Sequence, residues 1–462
     1  MDEHLLERLR EAVGEKFVLV TADDLEPYTH DECQGLFADP EVAVRPRTTE
    51  EVAAVMRLAN EARVPVTPRN AGTGKHGGCV PVEGGIVLSL DRMNSILEID
   101  TRDGFAVVEP GVVTETLQEA AAEAGFFYPP DPASKGSCHI GGNILTNAGG
   151  MRAVKYGTTR DFVFGLTFVT ATGDVVETGG KMLKESSGYQ LARLIAGSEG
   201  TLGVVTKCVM RLLPKPRARG LLHVPFDSLD LAVDGVAKVF ATGITPSACE
   251  FMEQAAIEVA ARHAETDTPF PGAEAQLIIE VDGRDEDSVS ADLMRIGEAL
   301  LELGAMDVIV ATERRKMEAL WQVRRVIAEG LKRFTTYRGV DSVVPRSRIA
   351  DLVRASREVG AAHGLDVVSF GHAGDGNLHI NLIRTEAQAT DEEWKAALAA
   401  GHEALVRAAI SLEGSISGEH GIGRTERPLF HLRHAPEAIA LMKRIKAAFD
   451  PNGILNPGKV LP

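Results

Sequence analysis

The stretch PRNAGTGKHGG, Pro68 to Gly78, decides how the first half of this chain is read. Gly72, Gly74 and Gly77 satisfy the spacing G-x-G-x-x-G. A dinucleotide fold needs a helix to start at that loop, so that its N-terminus faces the pyrophosphate. Here CVPVEGGIVLSL follows, a proline and two glycines ahead of a strand, and the dinucleotide reading is rejected. A P-loop fails as well, because Arg69 stands at the first glycine and His76 at the Ser/Thr after Lys75. What survives is a run of backbone N–H groups between two strands, able to form a nest for an anion, with Arg69 and Lys75 adding positive charge. On these residues alone, a phosphate-binding loop and a structural glycine turn both stay open.

Outward from the loop, the pattern is one of short strands. EVAVRPRTTEEVAAVMRLANEARVPVTPR reads strand, helix, strand, with Thr48 or Thr49 as N-cap and Glu50 and Glu51 in the first turn. GIVLSL, SILEID and FAVVEPG read as strands, and VTETLQEAAAEAG as a helix stopped by Gly125. FVFGLTFVTATGDVVETGG reads as a hairpin through Thr172, Gly173 and Asp174. LLPKPRARG, Leu212 to Gly220, is a seam, with two prolines and three basic residues ahead of a new strand. Strand and helix then alternate to about residue 410, which predicts helices packed on a sheet. DPNGILNPGKVLP ends the chain with turns that still carry apolar residues, an ordered tail.

A second glycine-rich region, PPDPASKGSCHIGGNILTNAGGMRAVKYG, doubles its glycines at Gly141–Gly142 and Gly149–Gly150. A third is AGSEGTLGVVT, Ala196 to Thr206. Three such loops among short strands suit an extended nucleotide cofactor lying along backbone.

With 462 residues the chain exceeds one ordinary core, and two or three domains are expected. Hydrophobic residues make up 44% and charged residues 25%, a soluble globular balance. A net charge of −17, from 49 basic and 66 acidic residues, argues against nucleic acid or an anionic membrane as main partner. The opening MDEHLLERLREAVGEKF is an amphipathic helix without a signal peptide or spanning run after it, so a cytoplasmic protein is expected. Cys33, Cys79, Cys138, Cys208 and Cys249 are scattered, with no CxxC pair. Neither a disulfide framework nor an iron–sulfur cluster of its own is expected.

FGHAGDGNLHINL, Phe370 to Leu382, places His372 and His379 on either side of Gly374, Asp375, Gly376 and Asn377. These residues accept positive φ and favour a sharp reversal, and the alternation after it is strand-like. The two imidazoles read equally as a shared ligand pair or as inert loop histidines.

Taken in order, PRNAGTGKHGG, GGNILTNAGG, GSEGTLGVVT, GHAGDGNLHINL, GEHGIGR and DPNGILNPGKV resemble the FAD-linked D-2-hydroxyacid dehydrogenases. That family includes the D-lactate dehydrogenases, the glycolate oxidase flavoprotein subunit and the D-2-hydroxyglutarate dehydrogenases, within the vanillyl-alcohol oxidase superfamily. The resemblance runs from about Glu41 to Val460. It implies an α+β protein: a vanillyl-alcohol-oxidase-type (PCMH-like) FAD-binding domain of two subdomains over residues 1–216, an α+β cap domain with an antiparallel sheet over 217–415, and a segment, 416–462, returning to the FAD domain.

Carried over, Arg69, Asn70, Ala71, Gly72 and Thr73, then Gly74, Lys75, His76, Gly77 and Gly78, would wrap the pyrophosphate of FAD. Pro130, Gly141, Gly142, Asn147, Gly149 and Gly150 would line the flavin or adenine side. Glu199, Gly200, Gly203 and Val205 would sit by the adenosine half, and Asn456 and Lys459 near the flavin ring. Some members of the superfamily attach FAD through a histidine of the first loop. Here that position falls on Thr73, so noncovalent FAD is expected. Lys75 and His76 replace the usual small residues, and their role stays open.

Glu419, beside His420 in GEHGIGR, adds a carboxylate to the two imidazoles, a set suited to a divalent metal with room for substrate. The resemblance assigns His372, His379 and Glu419 as ligands of zinc, manganese or iron. A metal would polarise the substrate hydroxyl, His420 would act as general base, and hydride would pass to the flavin. Arg324, in ALWQVRR, matches the family's carboxylate-binding arginine, although it also reads as a surface helix residue. Asn381 would contact substrate or orient a ligand. The 2-hydroxyglutarate members carry a threonine one turn after this arginine and a lysine further on. Here Ala328 takes the first place, with Arg338 and Gly339 near the second, so D-lactate or glycolate is favoured; another alignment within YRGVD would revive Arg338 for a second carboxylate.

Without cluster cysteines, electrons would leave to an external acceptor: electron-transfer flavoprotein, an iron–sulfur subunit, a quinone or a cytochrome. Such a partner would allow peripheral placement at the inner membrane, and a homodimer is compatible. The other readings are a D-2-hydroxyglutarate dehydrogenase, a glycolate oxidase subunit, or a flavin electron-transfer subunit with an idle pocket. A P-loop nucleotidase is opposed by the failed P-loop pattern.

Overall fold

A computed structural model describes residues 1–462 and divides the chain into two compact units. The first comprises 1–149, 158–215 and 419–462, and the second 150–157 and 216–418. The eight residues Gly150–Gly157 thus lie in the second unit, although the chain on both sides of them lies in the first.

In the first unit, helix Thr49–Ala62 starts where the Thr48 hydroxyl accepts a hydrogen bond from the Glu51 amide at 3.2 Å. It buries Val52, Val55, Met56 and Ala59 on one face. Strands β1 (Val18–Leu19), β2 (Val42–Val44), β3 (Val66–Arg69) and β4 (Ile86–Ser89) form a sheet in the order β1-β2-β4-β3. Only β1 runs antiparallel to its neighbour. Arg69 ends β3, so the first glycine loop leaves from the edge of this sheet. The chain's tail lies along that edge: Val66 N–H donates to the Ile454 carbonyl (2.8 Å) and Asn456 N–H to the Val66 carbonyl (2.7 Å). Ile454 and Leu455 are buried there, so the tail is ordered because it is core.

Strands β5 (Ile96–Asp100), β6 (Phe105–Val108), β8 (Val163–Val169), β9 (Val175–Gly179) and β10 (Val204–Arg211) form an antiparallel sheet in the order β5-β6-β10-β8-β9. A short pair joins β7 (Phe126–Phe127) to β11 (Leu213–Pro214).

The second unit is built on seven antiparallel strands: β12 (Ala218–Phe226), β13 (Ala248–Glu253), β14 (Ala275–Gly283), β15 (Ile309–Ala311), β16 (Tyr337–Val343), β17 (Asp366–His372) and β18 (Asn377–Ile383). Their order is β15-β12-β14-β13-β17-β18-β16. Side chains alternate between faces. One face, with Leu222, Phe251, Leu277, Val340 and Ile380, packs helices Leu229–Ala241, Glu286–Leu303, Ile349–His363 and Asp391–Ser411. The other, with Met252, Ile278 and Phe370, packs helices Gln254–Ala264, Arg314–Arg325 and Ile327–Phe334.

Two elements go beyond the sequence reading. Helix Asp391–Ser411 has 21 residues and opens with a Thr390–Glu393 capping box, and strand β13 lies near the centre of the sheet. The reversal after β17 is also narrower than the residue types suggested. Of Gly374, Asp375, Gly376 and Asn377, only Gly376 takes positive φ (+87°), and Asn377 is already the first residue of β18. A Cβ at Gly376 would overlap the Val344 carbonyl oxygen. Close approach to β16 demands this glycine.

Candidate active site

Register determines which side chains share the second face of the cap sheet. Phe370 pairs with His379, His372 with Asn377, and Val368 with Asn381, while Asp341 of β16 pairs with His379. His372, His379, Asn377, Asn381 and Asp341 therefore project from one face. The two imidazole rings stand 5.2 Å apart, with planes at 88°.

A carboxylate passed over in the sequence reading joins this group. Glu250, on β13, is 0% exposed. One of its oxygens lies 2.7 Å from His372 Nδ1, and the other accepts from Arg324 Nε at 2.8 Å. Burial by itself would raise the Glu250 carboxyl, but its neighbours His372 and Arg324 outweigh it and hold the pKa below the ordinary glutamate value. Arg324 belongs to helix Arg314–Arg325, and its guanidinium carbon sits 4.7 Å from the centre of the Phe370 ring. With 11% of its side chain exposed, Arg324 is not a surface arginine. The signal for Glu250 in the sequence is slight: it is one of two acids in the short strand ACEFME.

Asp341 is the second missed carboxylate. It is buried and accepts from Asn377 Nδ2 (2.7 Å), Ser417 Oγ (2.7 Å) and Gly418 N–H (2.9 Å). It thereby fixes the two residues that lead into Glu419. Its Oδ1 lies 3.8 Å from His379 Nδ1. Asn381 commits its amide N–H groups to the carbonyls of Val368 (3.0 Å) and His379 (3.2 Å), so it braces the two strands.

In the first unit, His420 Nε2 lies 3.7 Å from the Glu419 carboxylate, and the His420 and His76 rings are 5.8 Å apart. His76 is buried, with Nδ1 2.9 Å from Thr425 Oγ1 and 3.4 Å from the Glu426 carboxylate. His76 therefore ties the first glycine loop to the GEHGIGR segment and its continuation. Glu199 does the same from the third loop. Its carboxylate accepts the backbone N–H groups of Ile422 (2.7 Å) and Gly423 (2.8 Å), between glycines at φ +83° and +50°. Burial pushes the Glu199 carboxyl up despite these donors. Lys75, by contrast, is exposed near Glu32.

The tail completes the framework. Asn456 Nδ2 donates to the carbonyls of Gly78 (2.9 Å) and Glu199 (2.7 Å), binding loops one and three. Lys459 Nζ donates to the Val80 carbonyl at 2.5 Å, and burial pushes its pKa down to about 8. Arg69 donates to the His30 carbonyl at 2.7 Å. Asn147 caps helix Ile140–Thr146 at φ +53° and accepts from Thr158 and Arg160. Gly141 packs on Pro110 and Gly203 on Phe168, each at a distance a side chain would close.

These loops fit an extended polar cofactor. Gly72 and Gly77 adopt φ +76° and +72°, which leaves backbone rather than side chains at the first loop. The other two loops contain buried polar atoms with no hydrogen-bond partner, Ser198 Oγ and His139 Nδ1. Such buried atoms need a partner, which a bound ligand or water can supply.

Two family models match the chain: an FAD binding domain over residues 40–179, and the C-terminal domain of FAD linked oxidases over residues 215–460. The glycolate oxidase subunit GlcD of Bacillus subtilis (strain 168) is 41% identical over 435 residues, which is 94% of this chain and 91% of the relative. A D-lactate dehydrogenase of Anaerostipes hadrus is 38% identical over 464 residues, 99% of this chain and 97% of the relative. Among solved structures, p-cresol methylhydroxylase with substrate bound superimposes with a TM-score of 0.82 at 22% identity, over 99% of this chain and 96% of that one. At that identity the likeness speaks for the fold alone.

Proposed function

Because this chain belongs to the FAD-linked oxidases, we propose that it oxidises a small D-2-hydroxy acid, D-lactate foremost, to the 2-oxo acid and passes the electrons to an external acceptor. Its fold is the α+β, vanillyl-alcohol-oxidase type that the motifs imply, and FAD is its cofactor. The observation that carries the reading is the chain of contacts Arg324–Glu250–His372, with His379 beside it on the same sheet face. An anion clamp and a pair of imidazoles are thereby held in one rigid group.

Arg324 binds the substrate carboxylate. Glu250 occupies its Nε, which leaves the Nη edge to donate two parallel hydrogen bonds to a planar anion. That fixes the position of the α-carbon. FAD supplies the hydride acceptor when bound. His372, His379 and Glu419 are the proposed holders of a zinc, manganese or iron ion, and two imidazoles with a carboxylate suit such a group. An ion there would polarise the substrate hydroxyl. His420 takes the hydroxyl proton, a role suited to an imidazole near neutral pH.

Strand parity supports a short substrate. Tyr337, Gly339 and Asp341 share the site face of β16, whereas Arg338 and Val340 alternate to the opposite face. Arg338 thus alternates to the face opposite His379 and Asn381, which supports a substrate with a single carboxylate.

The test is anaerobic bleaching of the bound flavin by D-lactate, L-lactate, glycolate and D-2-hydroxyglutarate, before and after chelation with metal add-back. Fast bleaching by D-lactate, lost on chelation and restored by metal, is expected. Preference for D-2-hydroxyglutarate would overturn the substrate, and indifference to chelation would overturn the metal.

A further inference from the structure

We propose that Glu250 is the positioning residue of this site, a single buried carboxylate that sets the guanidinium of Arg324 and the tautomer of His372 together. The proposal rests on the function proposed above and goes past it, to how the site is kept in working order.

Glu250 is 0% exposed on a central strand, where a carboxylate without partners would be strongly destabilising. It has two partners of different kinds. Arg324 Nε–H can only donate, so it claims one oxygen (2.8 Å) whatever the state of the site. The imidazole of His372 has a choice of tautomer, and a carboxylate oxygen 2.7 Å from Nδ1 decides it, because that oxygen accepts and cannot donate. The proton therefore sits on Nδ1, and Nε2 carries the lone pair. A carboxylate behind a histidine is the usual means of fixing ring orientation and basicity at a ligand. Here the same carboxylate also fixes the substrate clamp, so Arg324 and His372 cannot shift independently. Glu253, three residues on, is a useful contrast. It is buried too, but its partners are Ser369 N–H and Arg357, on the opposite face.

Two substitutions separate the two effects. In Glu250→Gln the amide has one acceptor oxygen, which Arg324 claims, and its NH2 then faces His372 Nδ1. His372 must accept there, and its proton moves to Nε2. In Glu250→Ala both partners are released. Three variants, Glu250→Gln, Glu250→Ala and the control Glu253→Gln, are to be compared as FAD-loaded proteins. The readouts are kcat and KM for D-lactate and the 15N spectrum of histidine-labelled, chelator-treated protein, with the His372 signals assigned from a His372→Gln sample.

Wild-type His372 is expected as the Nδ1–H tautomer. Glu250→Gln is expected to lose that pattern and to lower kcat 10- to 100-fold, the range typical of such supporting groups, with KM changed less than threefold. Glu250→Ala should raise KM at least tenfold as well. Glu253→Gln should leave both the tautomer and the ratio of kcat to KM as they are. An Nε2–H tautomer in the wild-type protein overturns the proposal, with no variant needed, and so do equal kinetic losses in Glu250→Gln and Glu253→Gln. Should the wild type oxidise no hydroxy acid, the proposed function fails by that result alone, and the tautomer of His372 still decides for or against Glu250.

Discussion

Arg324→Met separates a buried clamp from an ordinary helix arginine. Methionine keeps much of the aliphatic volume and removes the guanidinium. Glu250, fully buried, would then keep His372 as its hydrogen-bond partner. Breaking a buried pair from one side costs about 3–5 kcal/mol, and the 11% exposure of Arg324 argues for the lower end, about 3 kcal/mol. For a unit on the order of 200 residues, each kcal/mol lowers Tm by about 2–4 °C, so a fall of roughly 6–12 °C is expected. Both tryptophans of the chain, Trp321 and Trp394, lie in the second unit, and intrinsic fluorescence during a thermal ramp therefore reports on that unit. Adding Glu250→Gln to Arg324→Met should return at least half of the loss, because the stranded charge is gone. An Arg324→Met protein that melts within about 1 °C of wild type, or a double variant whose losses simply add, would refute the buried-pair reasoning and return Arg324 to the surface.

Two further outcomes follow from single residues. Gly376→Ala should destabilise the second unit by at least about 2 kcal/mol in urea unfolding, since alanine must adopt φ +87° and its methyl meets the Val344 carbonyl; it should also slow flavin bleaching, because the turn sets the spacing of His372 and His379. Lys459 has a folded pKa of about 8 against 10.5 unfolded, so the unfolded chain binds the proton more tightly between those values and the Lys459 contribution to stability improves as pH rises through that window. Relative to Lys459→Met, urea unfolding of the apoprotein should favour wild type by an extra 2–3 kcal/mol or so at pH 10.5 compared with pH 7; a pH-independent difference would mean that Lys459 is not desolvated.

Much of the site was legible because its signals are local. A helix-free glycine loop after a strand excludes two nucleotide folds from a dozen residues, since turn conformation and N–H direction depend on near neighbours. His372 and His379 lie in one hairpin, so the turn and the period of two bring them together. The ordered tail was legible from apolar residues between its turns. Helix Asp391–Ser411 escaped notice for the converse reason. It is rich in alanine, and its buried residues Gly401, Leu405, Val406 and Ala409 all lie in its second half, so the apolar stripe is weak over much of its length.

Composition and local pattern thus excluded a dinucleotide fold and a P-loop at the first glycine loop, and they carried the histidine hairpin and the short-stranded α+β character of the chain. The two carboxylates that organise the second unit were decided by long-range register. Glu250 meets Arg324 across 74 residues and His372 across 122, and Asp341 meets Ser417 across 76. In sequence Glu250 is one of two acids in ACEFME, and Asp341 is the acid of the mixed strand YRGVDSV. The seven-stranded order sets β13 beside β17 and β16 beside β18, and only that pairing turns an unfavourable buried charge into the partner of an arginine or a histidine. His76 and Glu199 follow the same rule: a glycine-rich loop is readable from its own residues, but the segment it holds is chosen by the fold.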